Sequence, residues 1–504
     1  MSNRIALWIL VAVAPVFAFA QQPVGMCGTS IEDQAIIKQR MMENRAYYES
    51  HNLPRTGAKK YIPVRYHLYA KADGTGRLAP RACFENLCAI NKLYADQEIE
   101  FYIKDIKFTN NEAVYNDPSS TVSASILAAT AGGTNRNAIN IFVASKANGA
   151  VPGVLAFYSP SGDYIVSDFR YVNSNGTTLA HEIGHFFSLA HTFYGWECGD
   201  FSVNAPPVQA CYNILVEYVD RTKLYTNGKL HCNISADGFC DTPADYNLGF
   251  GWSGGCSWSG TVKDRDGAAL DPDERNMMSY FLNCLATFSG EQKAAIDKDY
   301  NSVQRAFLRT PAYLEKPEVT DAVNYIAPVK SEIASGYDKV KFDWDPVPNA
   351  TAYLFEVAEL ANFVTGLNYY IVRGTDTTLT NLKASKKYYW RVFPYNPNSF
   401  CNTTTTQTFS TPSFKVANHD LPEEVKSAQV LYSDSQDYLS IELSEYKKAQ
   451  IQILNVHGQL ISQKEVELGI GQNLTELNIQ VPGLYFYSIK SGAEYLASGK
   501  YLKK

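Results

Sequence analysis

The sequence predicts a chain of several domains, in which an α+β domain is followed by two smaller all-β domains. Its 504 residues exceed the roughly 100–200 residues of one ordinary domain. Up to about residue 312, stretches with helical periodicity are mixed with stretches in which every second residue is apolar. After Pro311 the helical stretches end, and short strand-like runs separated by turn residues follow.

The order of elements supports an α+β domain over residues 59–312. Loops rich in Gly, Asp and Cys separate its last two helices, and turn residues follow the strand that ends near residue 145. The predicted strands are residues 61–68, 100–108 and 137–145. The predicted helices are residues 84–98, 177–190 and 289–308, with a further helix over residues 31–48 ahead of the domain.

The composition is that of a globular chain, with 45% hydrophobic and 19% charged residues. The 51 acidic residues exceed the 45 basic residues and leave a formal net charge of -6. Because no block of basic residues stands out, nucleic acid is not expected as a partner.

The N-terminus has the pattern of a secretory signal peptide over residues 1–20. Arg4 supplies a positive charge, residues 5–17 are mostly apolar, and residues 18–20 (AFA) fit the small-x-small cleavage pattern. The apolar stretch is shorter than the ~20 residues that span a bilayer, which disfavours a membrane anchor, and Cys27 lies too far beyond it for a lipoprotein. No later segment is apolar enough to span a membrane, so we expect an exported chain, secreted or at the outer cell surface, without a transmembrane segment.

The ten cysteines indicate disulfides, because the chain is expected to leave the cell. Cys27 and Cys401 lie apart from the others and are expected to be odd thiols. The other eight fall in one region and suffice for four bridges, whose connectivity cannot be read from the sequence. They are Cys83, Cys88, Cys198, Cys211, Cys232, Cys240, Cys256 and Cys284.

The candidate catalytic and metal-binding residues lie in residues 181–191, which read HEIGHFFSLAH. On a helix, His181 and His185 lie on one face and can reach one metal ion, while Glu182 can reach a water on that ion without binding it. His191 reaches the same side only if the chain turns sharply near Ser188. Three neutral imidazoles leave zinc a fourth, open position, as catalytic zinc sites require.

An amphipathic helix with incidental histidines is the alternative explanation of this segment. It is disfavoured because the chain has only 8 histidines, and three of them fall within this one segment beside a glutamate.

This motif resembles that of the metzincin zinc peptidases, and further pieces resemble the pappalysin-like family. The pieces are residues 62–67 (IPVRYH), 178–180 (TLA), 191–193 (HTF), 241–243 (DTP) and 276–280 (NMMSY). The resemblance implies a metzincin catalytic domain with one catalytic zinc on His181, His185 and His191. Glu182 would be the general base of a zinc metalloendopeptidase.

The resemblance also implies roles for residues outside the motif. The family's Asn-x-Met-x-Tyr spacing selects Met278, and not Met277, as the methionine beneath the zinc ligands. Tyr280 would stabilise the oxyanion, although a structural role fits this tyrosine equally well. The substrate would lie along an edge strand at residues 153–158, and its contacts are assigned to the first four of these residues. They are Gly153, Val154, Leu155 and Ala156.

One residue departs from the family pattern. Ser188 stands where metzincins carry glycine, at a turn that often needs a positive φ, which costs serine about 1 kcal/mol.

Family relatives carry a pro-segment whose cysteine thiolate blocks the zinc. Cys27 lies in the matching place, so residues 21–58 are interpreted as a pro-segment and Cys27 as its zinc ligand. Pairing of Cys27 with another cysteine is the alternative.

Calcium is a further possible cofactor, since acidic residues crowd two loops and offer hard oxygen ligands. They are Asp264, Asp266, Asp271, Asp273 and Glu274 in one loop, and Asp237 and Asp241 in the other. A solvated acidic surface is the alternative.

Two all-β domains follow the α+β domain. Residues 318–417 carry Trp344 in an early strand and residues 388–392 (YYWRV) in a later one, and they resemble a fibronectin type III domain. Residues 424–504 resemble the C-terminal sorting domain of the type IX secretion system, whose machinery would be a partner, although the usual opening Asn-Pro pair is replaced by residues 432–434. A small adhesion module is the alternative for this last domain.

The sequence therefore predicts a secreted zinc endopeptidase that acts on protein or peptide substrates and is made as a zymogen. The alternative is a surface adhesin or binding protein with a degenerate metzincin domain. The intact Glu182 and three histidines disfavour that alternative, whereas Ser188 favours it.

Overall fold

A computed structural model describes residues 27–51, 59–197, 214–413, 424–432, 436–492 and 494–503. The chain divides into two compact units, Met1–Leu314 and Glu315–Lys504. The first mixes helices and strands and the second is all-β, which confirms the predicted fold class. The signal peptide over residues 1–20 lies outside the described residues, as do Cys198 and Cys211.

The first unit is built on a five-stranded sheet of order β2-β1-β3-β5-β4. The inner pairs are parallel, and only β4 runs antiparallel to its neighbour β5. Strands β1, β3 and β5 are almost wholly buried, as strands covered on both faces should be. The strands are β1 (Lys60–Ala70), β2 (Ile99–Asn110), β3 (Ile139–Ala144), β4 (Ala156–Ser159) and β5 (Tyr164–Asp168).

Six α-helices accompany this sheet among the described residues. Local signals place their starts: a proline opens α2, the Ser120 side chain caps α4, and Ser289 and Gln292 form a capping box at α6. The helices are α1 (Ile31–His51), α2 (Pro80–Leu93), α3 (Glu112–Asn116), α4 (Thr121–Ala131), α5 (Thr177–Phe186) and α6 (Gly290–Asn301).

Two predicted helices are shorter than the periodicity indicates. The helix predicted over residues 177–190 ends at Phe186, because Ser188 adopts a φ of 68° and cannot continue a right-handed helix. Of the helix predicted over residues 289–308, the α-helical part ends at Asn301. A separate 3-10 helix, Val303–Leu308, follows after Ser302.

The second unit has two separate hydrophobic cores. In the first, Trp344 and Trp390 are buried between a sheet of order β10-β9-β12-β13-β7 and a sheet of order β11-β8-β6. The Tyr388 hydroxyl accepts the backbone N–H of Lys383, as in the tyrosine corner of such sandwiches. Its strands are β6 (Tyr325–Ala327), β7 (Glu332–Ile333), β8 (Val340–Trp344), β9 (Ala352–Ala358), β10 (Asn368–Val372), β11 (Asp376–Leu379), β12 (Lys387–Tyr395) and β13 (Gln407–Ser410).

The other core lies among the last seven strands. They form a sheet of order β14-β15-β18 and a sheet of order β17-β16-β19-β20, with all pairs antiparallel. These strands are β14 (Val425–Leu431), β15 (Tyr438–Leu443), β16 (Lys447–Asn455), β17 (Leu460–Leu468), β18 (Gly471–Glu476), β19 (Gly483–Ser491) and β20 (Glu494–Lys503). Within the described residues, no helix is both long and apolar enough to span a bilayer.

The pairing of the cysteines corrects one prediction. Cys27 is a free thiol, as expected. Cys401, however, is in a disulfide, and among the described cysteines the other free thiol is Cys83, buried on α2, so the prediction that Cys83 belongs to one of four bridges is wrong. The spacing was misleading because distance along the sequence does not report which thiols meet in the fold. Two bridges brace the loops after α5, namely Cys232–Cys240 and Cys256–Cys284.

Candidate metal centre

The three histidines of the motif converge because α5 stops one residue before a tight turn. His181 and His185 lie one helical turn apart on α5. The backbone N–H of Ser188 bonds the carbonyl of His185, and that of Leu189 bonds the carbonyl of Gly184, which is the hydrogen-bond pattern of a Schellman cap. The chain then reverses and returns His191 to the face that carries the other two histidines.

Each imidazole is oriented through its Nδ1 atom. His181 Nδ1 lies 2.7 Å from the carbonyl oxygen of Met277, and His185 Nδ1 lies 2.7 Å from that of Leu189. His191 Nδ1 lies 3.2 Å from the Glu197 carboxylate. Since carbonyl oxygens only accept, the Nδ1 atoms of His181 and His185 donate their protons and their Nε2 atoms keep a lone pair. Burial raises the pKa of the Glu197 carboxyl to about 8, and in its ionised form this group accepts the Nδ1 proton of His191.

The Nε2 atoms face one another. Those of His185 and His191 are 3.2 Å apart, and that of His181 is buried without a hydrogen-bond partner among the described residues. Lone pairs at this distance repel unless they share a cation. Zn–N bonds of about 2.0–2.1 Å at tetrahedral angles set two nitrogens about 3.3 Å apart, so these residues fit zinc.

The pKa shifts of the three histidines also indicate that their imidazoles are neutral. Burial lowers the pKa of His181 to about 4 and lowers the pKa of His185 and His191 well below the usual value. The three rings are therefore uncharged and able to bind a metal at neutral pH.

Cys27 supplies a fourth candidate ligand. Its Sγ lies 3.4 Å from His185 Nε2 and 3.5 Å from Glu182 Oε2, and the ligand atoms of Cys27 and the three histidines lie within 4.8 Å of one another. Burial, and secondly the nearby Glu182, raise the pKa of this thiol. A thiolate here therefore needs a cation to compensate its charge.

Glu182 is buried beside this group. Burial raises the pKa of its carboxyl to about 8. Its Oε2 lies 3.5 Å from the hydroxyl of Thr29 as well as from the Cys27 thiol. The residue predicted as general base is thus covered by the segment that carries Cys27.

Residues 27–29 lie against the edge strand β4. The N–H of Gly28 bonds the carbonyl of Ala156 at 2.7 Å, and the N–H of Tyr158 bonds the Thr29 hydroxyl at 3.0 Å. A Cβ on Gly28 would lie 2.5 Å from the Val154 side chain, so only glycine fits this approach without a shift.

The helix that follows this segment also enters the site. Gln34 on α1 is fully buried. Its Nε2 lies 3.3 Å from His185 Nε2 and 3.4 Å from His191 Nε2, and its Oε1 accepts the backbone N–H of His191. The amide of Gln34 thus lies beside the two nitrogens that would bind the metal.

The two methionines have separate roles. Met277 offers its carbonyl to His181. Met278 is fully buried, and its sulfur occupies the space that a side chain at Gly184 would need. It therefore packs on α5 between the two ligand-bearing turns.

Tyr280 lies at the rim of the centre. Its hydroxyl donates to the carbonyl of Cys27 at 3.2 Å, and its ring centre is 4.9 Å from that of His191. The hydroxyl therefore faces the segment that covers the site.

Ser188 does adopt the strained conformation that the sequence predicts, and its side chain compensates. Its φ is 68°, and its hydroxyl donates to Asp299 Oδ1 at 2.8 Å. Asp299 is fully buried and also accepts from Asn44 of α1 and from Arg305, each at 2.8 Å. A glycine here would leave this carboxylate one donor short.

The predicted substrate strand begins later than expected. Strand β4 covers Ala156–Ser159, whereas Gly153 has a φ of 86° and lies in a turn before it. Val154 and Leu155 connect the turn to the strand. Strand β4 is the last strand of its sheet, and its role in holding the substrate stays a prediction.

The acidic loops do not support calcium. Asp264 accepts three backbone N–H groups, Asp266 pairs with Lys223, and Asp241 accepts from Ser289 and the N–H of Glu291. Within the described parts of the chain, the group of Cys27 and the three histidines is the one that assembles three or more close metal-ligand atoms.

Four residues of the site escaped the sequence analysis: Thr29, Gln34, Glu197 and Asp299. Glu197 follows His191 by six residues, a spacing that could have marked it as an acceptor for the third imidazole. The other three come from segments far away in the sequence, and no local pattern distinguishes them.

One family matches part of the chain. Residues 435–504 match the family described as secretion system C-terminal sorting domain. The match begins just after residues 432–434, the divergent opening. This region is thus a type IX sorting domain, which directs the protein to the secretion machinery and to the cell surface or the medium. No curated protein matches the sequence.

Many solved structures are similar to parts of the chain, among them these three. A mutant of promirolysin from Tannerella forsythia has 16% identity and a TM-score of 0.34, over 56% of this chain and 96% of that one. The FN1–FN3 domains of chicken CNTN1 have 15% identity and a TM-score of 0.19, over 38% of this chain and 69% of that one. A segment of two fibronectin type III domains from chicken tenascin has 11% identity and a TM-score of 0.15, over 38% of this chain and 100% of that one. At such TM-scores the function must rest on the metal centre itself.

Two substitutions test the compensation at Ser188. Ser188→Gly relieves about 1 kcal/mol of strain but removes a hydrogen bond to a charged group, worth about 1.5–3 kcal/mol. Ser188→Ala keeps the strain and removes the bond. Thermal unfolding should rank the wild type above Ser188→Gly and that above Ser188→Ala. A Ser188→Gly protein more stable than the wild type would contradict the compensation.

A second prediction concerns Glu197. Its carboxylate accepts from His191 Nδ1 and from the N–H of Gly195, and Glu197→Gln can keep only one of these bonds. We expect zinc affinity to fall about 10–100-fold in a competition titration with a chelator. Glu112→Gln, at an exposed position on α3, is the matched control, and equal affinities for the two variants would refute an orienting role.

Proposed function

We propose that this protein is a secreted zinc-dependent endopeptidase that is made as a zymogen. The observation that carries the proposal is the convergence of three neutral imidazoles on one point, with the Glu182 carboxyl and the Cys27 thiol beside it. Proposed boundaries are residues 1–20 for the signal peptide, 21–58 for the pro-segment and 59–312 for the catalytic domain. A fibronectin-like domain at 318–417 and the sorting domain at 424–504 complete the chain.

His181, His185 and His191 would hold the zinc and leave one position for water or substrate. A zinc ion held there would lower the pKa of a bound water and polarise the scissile carbonyl. Glu182 takes the proton from the attacking water and passes it to the leaving amine.

Two further elements position the substrate and its oxyanion. The carbonyl of Ala156 and the N–H of Tyr158, on edge strand β4, bond the pro-segment in the latent form and would bond an extended substrate in the active form. Gly153, Val154 and Leu155 form the approach to that strand. The hydroxyl of Tyr280, which donates to a carbonyl of the pro-segment, would donate to the developing oxyanion.

Latency would arise from several contacts of one segment. Cys27 occupies the open position of the metal, Thr29 contacts Glu182 and β4, and Gln34 lies against His185 and His191. Removal of residues 21–58 would uncover the metal, the base and the edge strand together.

The main test uses the full chain with a specific protease site in place of residues 53–58. Zinc per chain and cleavage of casein are measured before and after the cut, for the wild type and for Glu182→Gln. We expect one zinc per chain throughout and cleavage only after the cut. Glu182→Gln should lower kcat by about 10²–10⁴-fold, the usual contribution of a general base.

The other outcomes separate the alternatives. A chain without zinc would contradict the proposal. A chain that binds zinc, is cut and still cleaves nothing would favour the binding protein or adhesin.

A prediction for latency follows from Cys27. Cys27→Ala in the uncut chain should raise the casein-cleaving rate at least about tenfold, which corresponds to 1.4 kcal/mol of lost blocking. Cys83→Ala, at the other free thiol, is the matched control and should remain latent. If Cys27→Ala binds zinc and stays as latent as the control, the thiol is not required for latency and the other contacts of the segment suffice.

A further inference from the structure

A loop of the first unit closes around a side chain of helix α1. This 231–242 loop lies between the third histidine of the centre and Met278, and its regular structure is one short 3-10 helix, His231–Asn233. Residues 235–239 are all buried. A buried segment without regular structure must find partners for its backbone carbonyls, and α1 supplies several of them.

Lys38 of α1 contacts three of these carbonyls at once. Its Nζ donates to the carbonyl oxygens of residues 234, 235 and 236, at 3.0, 3.2 and 2.6 Å. Burial lowers the pKa of this amine to about 8, so the amine is still charged at neutral pH. Three carbonyl dipoles that point at one place repel one another, and an ammonium with three N–H donors offsets that repulsion.

The loop is locally unfavourable where it meets Lys38. Ala236 has a φ of 30°, a value that residues other than glycine seldom adopt. The next residue, Asp237, is fully buried, and its Oδ2 has no hydrogen-bond partner among the described residues. Contacts with other segments must therefore offset the cost of this conformation.

The same face of α1 extends the contact along the loop. Lys38, Met41 and Arg45 are spaced three and four residues apart, so they lie on one side of the helix. Arg45 donates to the carbonyl of Gly238 at 2.9 Å, and its guanidinium lies 5.2 Å from the ring centre of Phe239. A Cβ at Gly238 would lie 3.0 Å from the Met41 side chain. The helix thus follows the loop for about two turns.

Other contacts hold the loop within the first unit once it has formed. Arg221 donates to the carbonyl of Phe239 at 2.7 Å, and a disulfide closes the loop on itself. Just beyond the loop, Asp245 accepts from the hydroxyl of Thr192 at 2.8 Å. Thr192 follows His191 directly, so the position of the loop also affects the support of the third histidine.

We propose that α1 has a second function besides latency: it is the template on which the 231–242 loop folds, and Lys38 gathers the carbonyls of the loop. The proposal rests on the proposed zymogen, because α1 belongs to the segment that would be removed. Gln34 and the residues before α1 cover the metal centre, whereas Lys38, Met41 and Arg45 contact the loop. After removal of α1 the folded loop persists, but it forms slowly from an unfolded chain.

The test compares refolding with and without α1. The full chain carries Glu182→Gln, which keeps self-digestion low, and the specific protease site in place of residues 53–58. After the cut, guanidinium chloride releases the segment that ends at residue 52 while the disulfides stay intact, and gel filtration removes it. Cut and uncut chains are diluted into buffer with zinc, and the protection of residues 231–242 is followed by pulsed hydrogen exchange and mass spectrometry.

We expect the loop to gain protection at least about tenfold more slowly without α1, since a hydrogen bond to a charged group contributes that much or more. An excess of a synthetic peptide of residues 21–52 should restore the rate. Lys38→Met in the peptide should lower the restored rate at least about tenfold for the same reason. Gln39→Met, on the exposed side of α1, is the matched control and should act like the wild-type peptide.

The other outcomes separate the two proposals. Equal rates with and without α1, or a slow chain that the wild-type peptide does not rescue, would overturn the template and leave the zymogen intact. Equal rescue by the Lys38→Met and Gln39→Met peptides would exclude Lys38 as the residue that gathers the carbonyls. The peptidase fails separately, if a cut chain with Glu182 that was never unfolded binds zinc and cleaves no casein.

Discussion

Three imidazole nitrogens that share one small space impose the main constraint on the first unit of this protein. Their lone pairs repel one another, so the surrounding fold must hold them together until a cation compensates them. The helix carrying two of them must end just after His185, because only a sharp reversal returns His191 to the same point. Ser188 makes that reversal in a conformation unfavourable for serine, and Asp299 offsets the cost through a buried hydrogen bond.

Residues 27–51 contact the same centre at several points. Gly28 is small enough to approach Val154, and Gln34 places an amide against two of the nitrogens. Asn44, further along α1, bonds the carboxylate that supports Ser188. Helix α1 thus contacts two of the three histidines and also the support of their turn.

Local sequence predicted the parts of the site that depend on local structure. Helical spacing puts His181 and His185 on one face of α5, Met278 packs against α5 at Gly184, and the Cys27 sulfur lies close to the three histidines. Glu197, Gln34 and Asp299 were missed because their roles depend on contacts between distant segments. The predicted end of α5 was wrong because a positive φ at one residue stops the helix. The predicted states of the Cys83 and Cys401 thiols were wrong because the tertiary fold decides which cysteines meet.

The central claim is that three imidazoles and the Cys27 sulfur surround one zinc ion in the latent protein. X-ray absorption at the zinc edge of the intact chain tests it most directly. The account predicts one sulfur at about 2.3 Å and nitrogens at about 2.0–2.1 Å, with the sulfur signal absent in Cys27→Ala and unchanged in Cys83→Ala. A spectrum of the wild type without sulfur, or a chain that takes up no zinc, would contradict it.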